Sequence, residues 1–211
     1  KFETFLKIWI SKKLKFGQIT ELNDINEALK TISVPTIEGP TPNGFRDYED
    51  LLYNTIEIHN TYRQISLTKD YDSYFRGSFS PMMWGHYGDK GNGVCIELDY
   101  SKMQIPPGVF AKDVRYKKLS KIFNLKPDLL FKQNLLEKYI DKHRNELFFT
   151  KTIDWKGENE FRLITKEHDY IDISTAISAI YIAKSIKENI QILQNIIDRE
   201  VPIYLIKYTI R

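Results

Sequence analysis

The sequence predicts the α+β class: a single domain, residues 1–211, with a mixed β-sheet flanked by helices. Three observations lead there. "GVCIELD" (93–99) and "EFRLIT" (160–165) alternate apolar and polar residues with the period of a strand. Segments 2–13, 46–61 and 127–149 repeat apolar residues at helical spacing. The last third reads strand, helix, strand: "AIYIA" (179–183), a helix over 184–199, then "PIYLIKYTI" (202–210). A helix of that length between two strands allows a parallel crossover, so the sheet is expected to be mixed.

The elements follow in order. Phe2, Phe5, Leu6 and Trp9 give the first helix its apolar side, and "LKFGQI" (14–19) reads as a short strand. "TELNDINEALK" (20–30) is rich in turn and cap residues, because Asn23 and Asp24 side chains hydrogen-bond nearby backbone. Residues 33–45 hold three prolines and two glycines and read as a long surface loop. Tyr48, Leu51, Leu52, Thr55 and Ile56 mark the second helix, and "RQISLT" (63–68) a strand. In 93–99, Val94, Ile96 and Leu98 face one side, and Cys95, Glu97 and Asp99 the other. "VRYKK" (114–118) is another short strand. Pro127 suits the first turn of a long helix whose apolar side is Leu129, Leu130, Leu136, Tyr139, Ile140 and Leu147.

Composition narrows the function classes. With 211 residues, 42% hydrophobic, 13 Tyr and 12 Phe, the chain can build a large core. The net charge of +3, from 31 basic and 28 acidic residues, is not that of a protein that coats nucleic acid by charge alone. Cys95 is the one cysteine, which excludes an intrachain disulfide and a cysteine-built zinc site, and it reads as a packed structural thiol. No apolar run is long enough to span a bilayer and no secretory signal is visible, so a cytoplasmic, reducing setting without a membrane partner is expected.

Two stretches carry chemistry. In "KTIDWKGENEFRLIT" (151–165), Glu158, Glu160 and Arg162 are spaced to share one face of a strand, while Phe161 and Leu163 point into a core. On pattern alone this is an exposed sheet face laced with ion pairs; the sharper alternative is a preorganised charged cluster. Trp155, just before it, is either a core plug or a stacking surface. In "SPMMWGHYGDKGNGVCIELD" (80–99), Met82, Met83 and Trp84 are expected to pack. His86 is a structural histidine, a hydrogen-bond donor to a ligand, or a general base. Gly88, Gly91 and Gly93 permit a tight turn and a close approach of backbone to a ligand. "GDKGNG" lacks the ending of a phosphate-binding P-loop, and no dinucleotide, zinc-protease, hydrolase-elbow or EF-hand motif occurs.

These stretches, with "LKFGQITELNDINE" (14–27), "ISLT" (65–68), "VRY" (114–116) and "FFTKTIDWKGENEFRL" (148–163), resemble a bacterial family, the domain-of-unknown-function family 2971. The resemblance carries that family's polar set onto Asn23, Asp24, Glu27, Trp84, His86, Tyr87, Lys151, Trp155, Glu158, Glu160 and Arg162. The chain departs from the pattern at Ile25, usually Pro, at Leu98, usually Phe, and at Gly88, usually Ala. The layout is also similar to ADP-ribosyltransferase-like domains, which end with a catalytic Glu, often Glu-x-Glu, on a late strand.

That second likeness implies NAD as substrate, no metal, and transfer of ADP-ribose to a protein or nucleic-acid acceptor, or to water. Glu160 is then the carboxylate facing the oxocarbenium-like centre and Glu158 orients or activates the acceptor. His86 bonds a ribose hydroxyl, Trp84 or Tyr87 stacks on a ring, and Lys151, Trp155 and Arg162 complete the ligand site with Asn23, Asp24 and Glu27. A toxin or anti-phage effector is the expected setting. Two other readings stand beside it: a metal-dependent nuclease using Asp99, Glu158 and Glu160, and a non-enzymatic sensor that binds a nucleotide or metabolite.

Overall fold

A computed structural model describes residues 1–19, 57–58, 60–71, 77–118, 133–183 and 187–207. The expectations for Asn23, Asp24, Glu27, the 33–45 loop and most of the 46–61 helix lie outside the described residues. The chain opens with helix α1 (Phe2–Ser11), in which Phe5 and Trp9, one turn apart, are both buried. Lys12 ends it in the left-handed region with φ 54°, and its backbone N–H donates to the Ile8 carbonyl. The expected strand at 14–19 is two short ones, β1 (Lys13–Lys15) and β2 (Gly17–Gln18), because buried Phe16 between them turns to donate its N–H to Asp169.

The central element is a four-stranded antiparallel sheet in the order β2, β3 (Arg63–Thr68), β8 (Glu160–Thr165), β5 (Phe110–Asp113). A second sheet runs β11 (Ile203–Leu205), β10 (Ile177–Ile182), β4 (Val94–Leu98). It is mixed: β10 and β11 are parallel, joined over helix α5 (Lys187–Ile196), and β10 and β4 are antiparallel. This is the crossover the last third of the sequence predicts. Two further pairs complete the strands: β1 with β9 (Tyr170–Asp172), antiparallel, and β6 (Arg115–Lys117) with β7 (Thr150–Thr152), parallel. The fold is therefore α+β as expected, with its strands divided over several sheets.

The long helix expected over 127–149 is, in its described part, two helices. α3 (Gln133–Lys142) and α4 (Arg144–Phe148) meet at His143, whose ψ of 18° breaks the spiral. Their buried residues Ile140, Leu147 and Phe148 pack with Tyr62 and Ile164, on one face of the central sheet. The other face, through Ile65 and Leu163, packs with Met103, Ile171 and Ala176, and Leu98 and Ile177 of the second sheet join there. The second sheet in turn presents Ile180 and Ile182 to Phe5 and Trp9 of α1 and Leu193 of α5. Strand β8 is thus covered on both faces, which positions the site. Among the described residues no helix is long and apolar enough to cross a membrane.

Candidate functional site

Lys151 on β7 leads into a 3-10 turn over Ile153–Glu158, and then Asn159 adopts the left-handed region at φ 44° before β8 begins. Asn tolerates that conformation better than most residues. It is held there from both sides: its Nδ2 donates to the Lys69 carbonyl at 2.6 Å, and the Lys69 N–H donates to the Asn159 carbonyl at 2.9 Å. This corrects the expected register. Glu158 is on the turn, not the strand, and only Glu160 and Arg162 share a strand face.

The carboxylates nevertheless meet. Lys151 Nζ lies 2.7 Å from Glu158 Oε2 and 3.7 Å from Glu160 Oε2. Arg162 grips Glu160 with two parallel bonds, Nε to Oε1 at 2.7 Å and a terminal nitrogen to Oε2 at 2.8 Å. Its other terminal nitrogen donates to the Phe148 carbonyl at 2.5 Å. Residue exposures are 5% for Lys151, 4% for Glu158, 5% for Glu160 and 2% for Arg162. The exposed, ion-paired sheet face suggested by the pattern is therefore overturned: the charges are buried, because α3 and α4 cover this side of β8. Two cations and two carboxylates at this spacing leave the cluster near neutrality, which is the condition under which charges can be buried at all.

Burial alone would push the Glu160 carboxyl up, but the Arg162 bonds and charge, a Ser66 hydrogen bond and the Lys151 charge outweigh it and hold it below the usual range. Ser66 sits opposite Arg162 in the β3–β8 register. Tyr116 adds a contact the sequence reading gave no role: its hydroxyl accepts the Glu160 N–H at 2.8 Å. Burial and the nearby Glu160 and Glu158 charges push this phenol up to about 12, against the contrary pull of that N–H. The signal for both residues was present in "ISLT" and "VRY", the strands that neighbour the cluster.

Above the cluster stands an aromatic rim. The Tyr87 hydroxyl donates to Glu158 Oε1 at 2.5 Å, while 44% of the residue stays exposed. The Trp155 ring takes the Lys151 ammonium on its face, 4.5 Å from the ring centroid. The His86 ring is exposed and meets Trp155 edge-on at 6.3 Å. His86 and Tyr87 come from the end of helix α2 (Pro81–His86), which Ser80 caps through its side chain and Pro81 starts. The structure thus brings His86, Tyr87, Lys151, Trp155, Glu158, Glu160 and Arg162 into one constellation.

Trp84 is not in it. It is buried, packs with Ala179, Tyr181 and Ile206, and donates Nε1–H to the Ser78 carbonyl at 2.7 Å. It is a packing residue, not a stacking surface for a ligand. The glycine turn serves this packing too. A Cβ on Gly88 would lie 2.5 Å from Trp84 Cε3, and Asp89, Lys90 and Gly91 all take positive φ. The close backbone approach expected there is to Trp84, not to a ligand. Arg162 and Lys151, buried and committed to carboxylates, hold the floor of the site in place of gripping a phosphate directly. Asp99 is also elsewhere, accepting hydrogen bonds from Ser101 and facing Lys102. Among the described residues no group of three or more His, Cys, Asp and Glu side chains is arranged to hold a metal ion, so the nuclease trio of Asp99, Glu158 and Glu160 is not assembled.

No curated protein and no solved structure matches the chain. A family model does, over residues 83–163, a span that contains His86, Tyr87, Lys151, Trp155, Glu158, Glu160 and Arg162. From Met83 to Leu163 the chain matches the family described as protein of unknown function DUF2971, the family its motifs resemble.

Proposed function

We propose that the chain is an ADP-ribosyltransferase-like enzyme that cleaves the nicotinamide–ribose bond of NAD and passes ADP-ribose to a macromolecular acceptor or to water. The observation that carries this reading is the buried Glu158–Glu160 pair beneath the exposed Tyr87 and His86 and the half-buried Trp155. The reaction asks for negative charge fixed beside a carbon that becomes positive as the bonding electrons leave with nicotinamide. A carboxylate locked by Lys151 and Arg162 needs no reorganisation to supply it. The partners favour Glu158 for that part, since it alone reaches the rim through Tyr87, and Glu160, bound on both oxygens by Arg162, as its positioning neighbour. In this scheme Tyr87 and Trp155 offer ring faces to the nicotinamide or the base, and His86 bonds a ribose hydroxyl. The acceptor's oxygen attacks the ribose carbon and its proton passes to Glu158. A toxin or anti-phage effector working in the cytoplasm is the setting this chemistry suits.

The test is nicotinamide release from NAD, with and without cell lysate. Release by the wild type that falls about 100-fold or more in Glu158→Gln is the expected result. Absence of release by the wild type in every condition refutes the proposal. One observation favours a second reading, a nucleotide- or metabolite-binding sensor: every oxygen of the two carboxylates already has a partner. Such a cluster serves equally as a rigid floor on which a ligand rests. Saturable NAD binding without turnover would select that reading.

A further inference from the structure

Tyr116 touches the cluster and has no part in the function proposed above. The β6–β7 register sets it beside Lys151, so the two side chains leave the same face of the strand pair. Arg115 and Lys117, on the opposite face, are exposed, whereas Tyr116 is half-buried. Lys151 runs to Glu158 and Glu160, and the Tyr116 hydroxyl ends at the first N–H of β8, that of Glu160, at 2.8 Å. The phenol oxygen therefore stands where the turn that carries Glu158 passes into the strand that carries Glu160.

Its hydrogen is unspent. A phenol has one hydrogen to donate and two lone pairs to accept with. The Tyr116 oxygen accepts the Glu160 N–H, and among the described residues no group accepts the hydrogen. Tyr71 and Tyr87, which meet the same turn, spend theirs on the Lys156 carbonyl at 3.2 Å and on Glu158. The Tyr116 ring is held by its strand and its oxygen by the Glu160 N–H, so the remaining O–H direction, close to the ring plane, is fixed before any ligand arrives. Burial and the neighbouring carboxylates push the phenol up to about 12, which keeps that hydrogen in place at neutral pH.

We propose that Tyr116 recognises the sugar of the ligand: its hydroxyl donates to a hydroxyl of the nicotinamide ribose, which turns its own hydrogen toward Glu158. This rests on the NAD reading above and adds to it a residue that holds the ribose beside His86. A hydroxyl suits the place because it accepts and donates at once. Glu158 as a carboxylate only accepts, and its Oε1 and Oε2 have one donor each, Tyr87 and Lys151, which leaves a lone pair on both. A phosphate cannot take the hydroxyl's part. The phosphates of NAD have no hydrogen to give the carboxylate at neutral pH, and they would set further negative charge beside two carboxylates already matched by Lys151 and Arg162. A ring face or an alkyl chain would leave the Tyr116 donor unpaired, at a cost in binding.

The test is a thermodynamic cycle on the whole chain. The probe is carba-NAD, in which a methylene replaces the ring oxygen of the nicotinamide ribose so that nicotinamide is retained, together with its 2′-deoxy and 3′-deoxy counterparts at that ribose. Binding is measured by calorimetry for the wild type and for Tyr116→Phe, which keeps the ring and its packing. Tyr116→Phe is expected to weaken carba-NAD about tenfold, the loss of one hydrogen bond, and to leave the affinity for one of the two deoxy counterparts unchanged. A residue that acts only by accepting the Glu160 N–H would weaken every ligand equally, and that result overturns the proposal. So does a variant that binds carba-NAD as tightly as the wild type. In either case nicotinamide release from NAD by the wild type leaves the transfer reading standing, and the Tyr116 assignment alone falls. A wild type that does not bind carba-NAD also overturns the proposal, and the reading beneath it as well if no nicotinamide is released from NAD.

Discussion

The two faces of β8 are both covered and differently made. One carries Phe161 and Leu163 into the core between the sheets; the other carries Glu160 and Arg162 into an ion-pair cluster backed by α4 and rimmed by Tyr87 and Trp155. A buried leucine stabilises by about 1.5–3 kcal/mol for leaving water. A buried ion pair returns little net stability, because the attraction between the charges is spent against their desolvation. Stability alone would have placed apolar residues on both faces. The charged face is therefore better understood as a device for holding carboxylates in fixed positions, and the apolar face as the support that makes it affordable.

The charged face is most vulnerable at Arg162. Arg162→Met should destabilise by about 3–5 kcal/mol in urea unfolding, because it leaves Glu160 buried with too few partners. Adding Glu160→Leu to that variant should recover most of the loss. If the double variant is as unstable as the single one, the charges are structural in a way the apolar face does not explain.

Acid sharpens the contrast. Glu160 is depressed in the folded state relative to its ordinary value of 4.5, chiefly by Arg162 acting against burial. A depressed carboxyl contributes stability that is present above the unfolded value and lost as pH falls through the folded one. The stability advantage of wild type over Glu160→Gln should thus be full at neutral pH and shrink below about 4.5. An advantage that grows on acidification would mean that Glu160 is held neutral, and the assignment of Arg162 as its partner would fail.

The smallest effect is at the surface end of the same strands. Lys69 pairs with Asp113 at 2.9 Å with both side chains more than half exposed. Lys69→Ala should change stability by about 0–1 kcal/mol, measured beside Arg162→Met in the same buffer. A loss approaching that of Arg162→Met would remove burial as the reason the two ion pairs differ.

Much of this arrangement was legible in the sequence. Alternation marked β4 and most of β8, and the strand–helix–strand order of the last third marked β10 and the parallel crossover. β5 escaped because its residues are mostly exposed and show no periodicity, and β7 and β9 because three residues are too few to show one. The burial of Glu160 and Arg162 was illegible for a different reason. It depends on how α3 and α4 fold back over β8 through β7 and the 3-10 turn, a tertiary arrangement that strand periodicity does not encode. Glu158 was misplaced by one local event, the left-handed turn at Asn159, which no period of two can anticipate. Trp84 looks in sequence like its neighbour His86, but two residues along a helix, about 200°, turn it away from that side and into the core.

The bond from the Thr68 hydroxyl to the Glu158 carbonyl joins positions 90 residues apart in the chain. Like the β3–β8 ladder next to it, that bond has no counterpart in a partly synthesised protein. While the ribosome is still working on the middle of the chain, the first strand waits for a neighbour that has not been made. The carboxylate pair thus comes into being only once β8 has been made and has paired with β3. A chain that stops short of that strand lacks the whole Lys151–Glu158–Glu160–Arg162 cluster, whatever the rest of it has folded into.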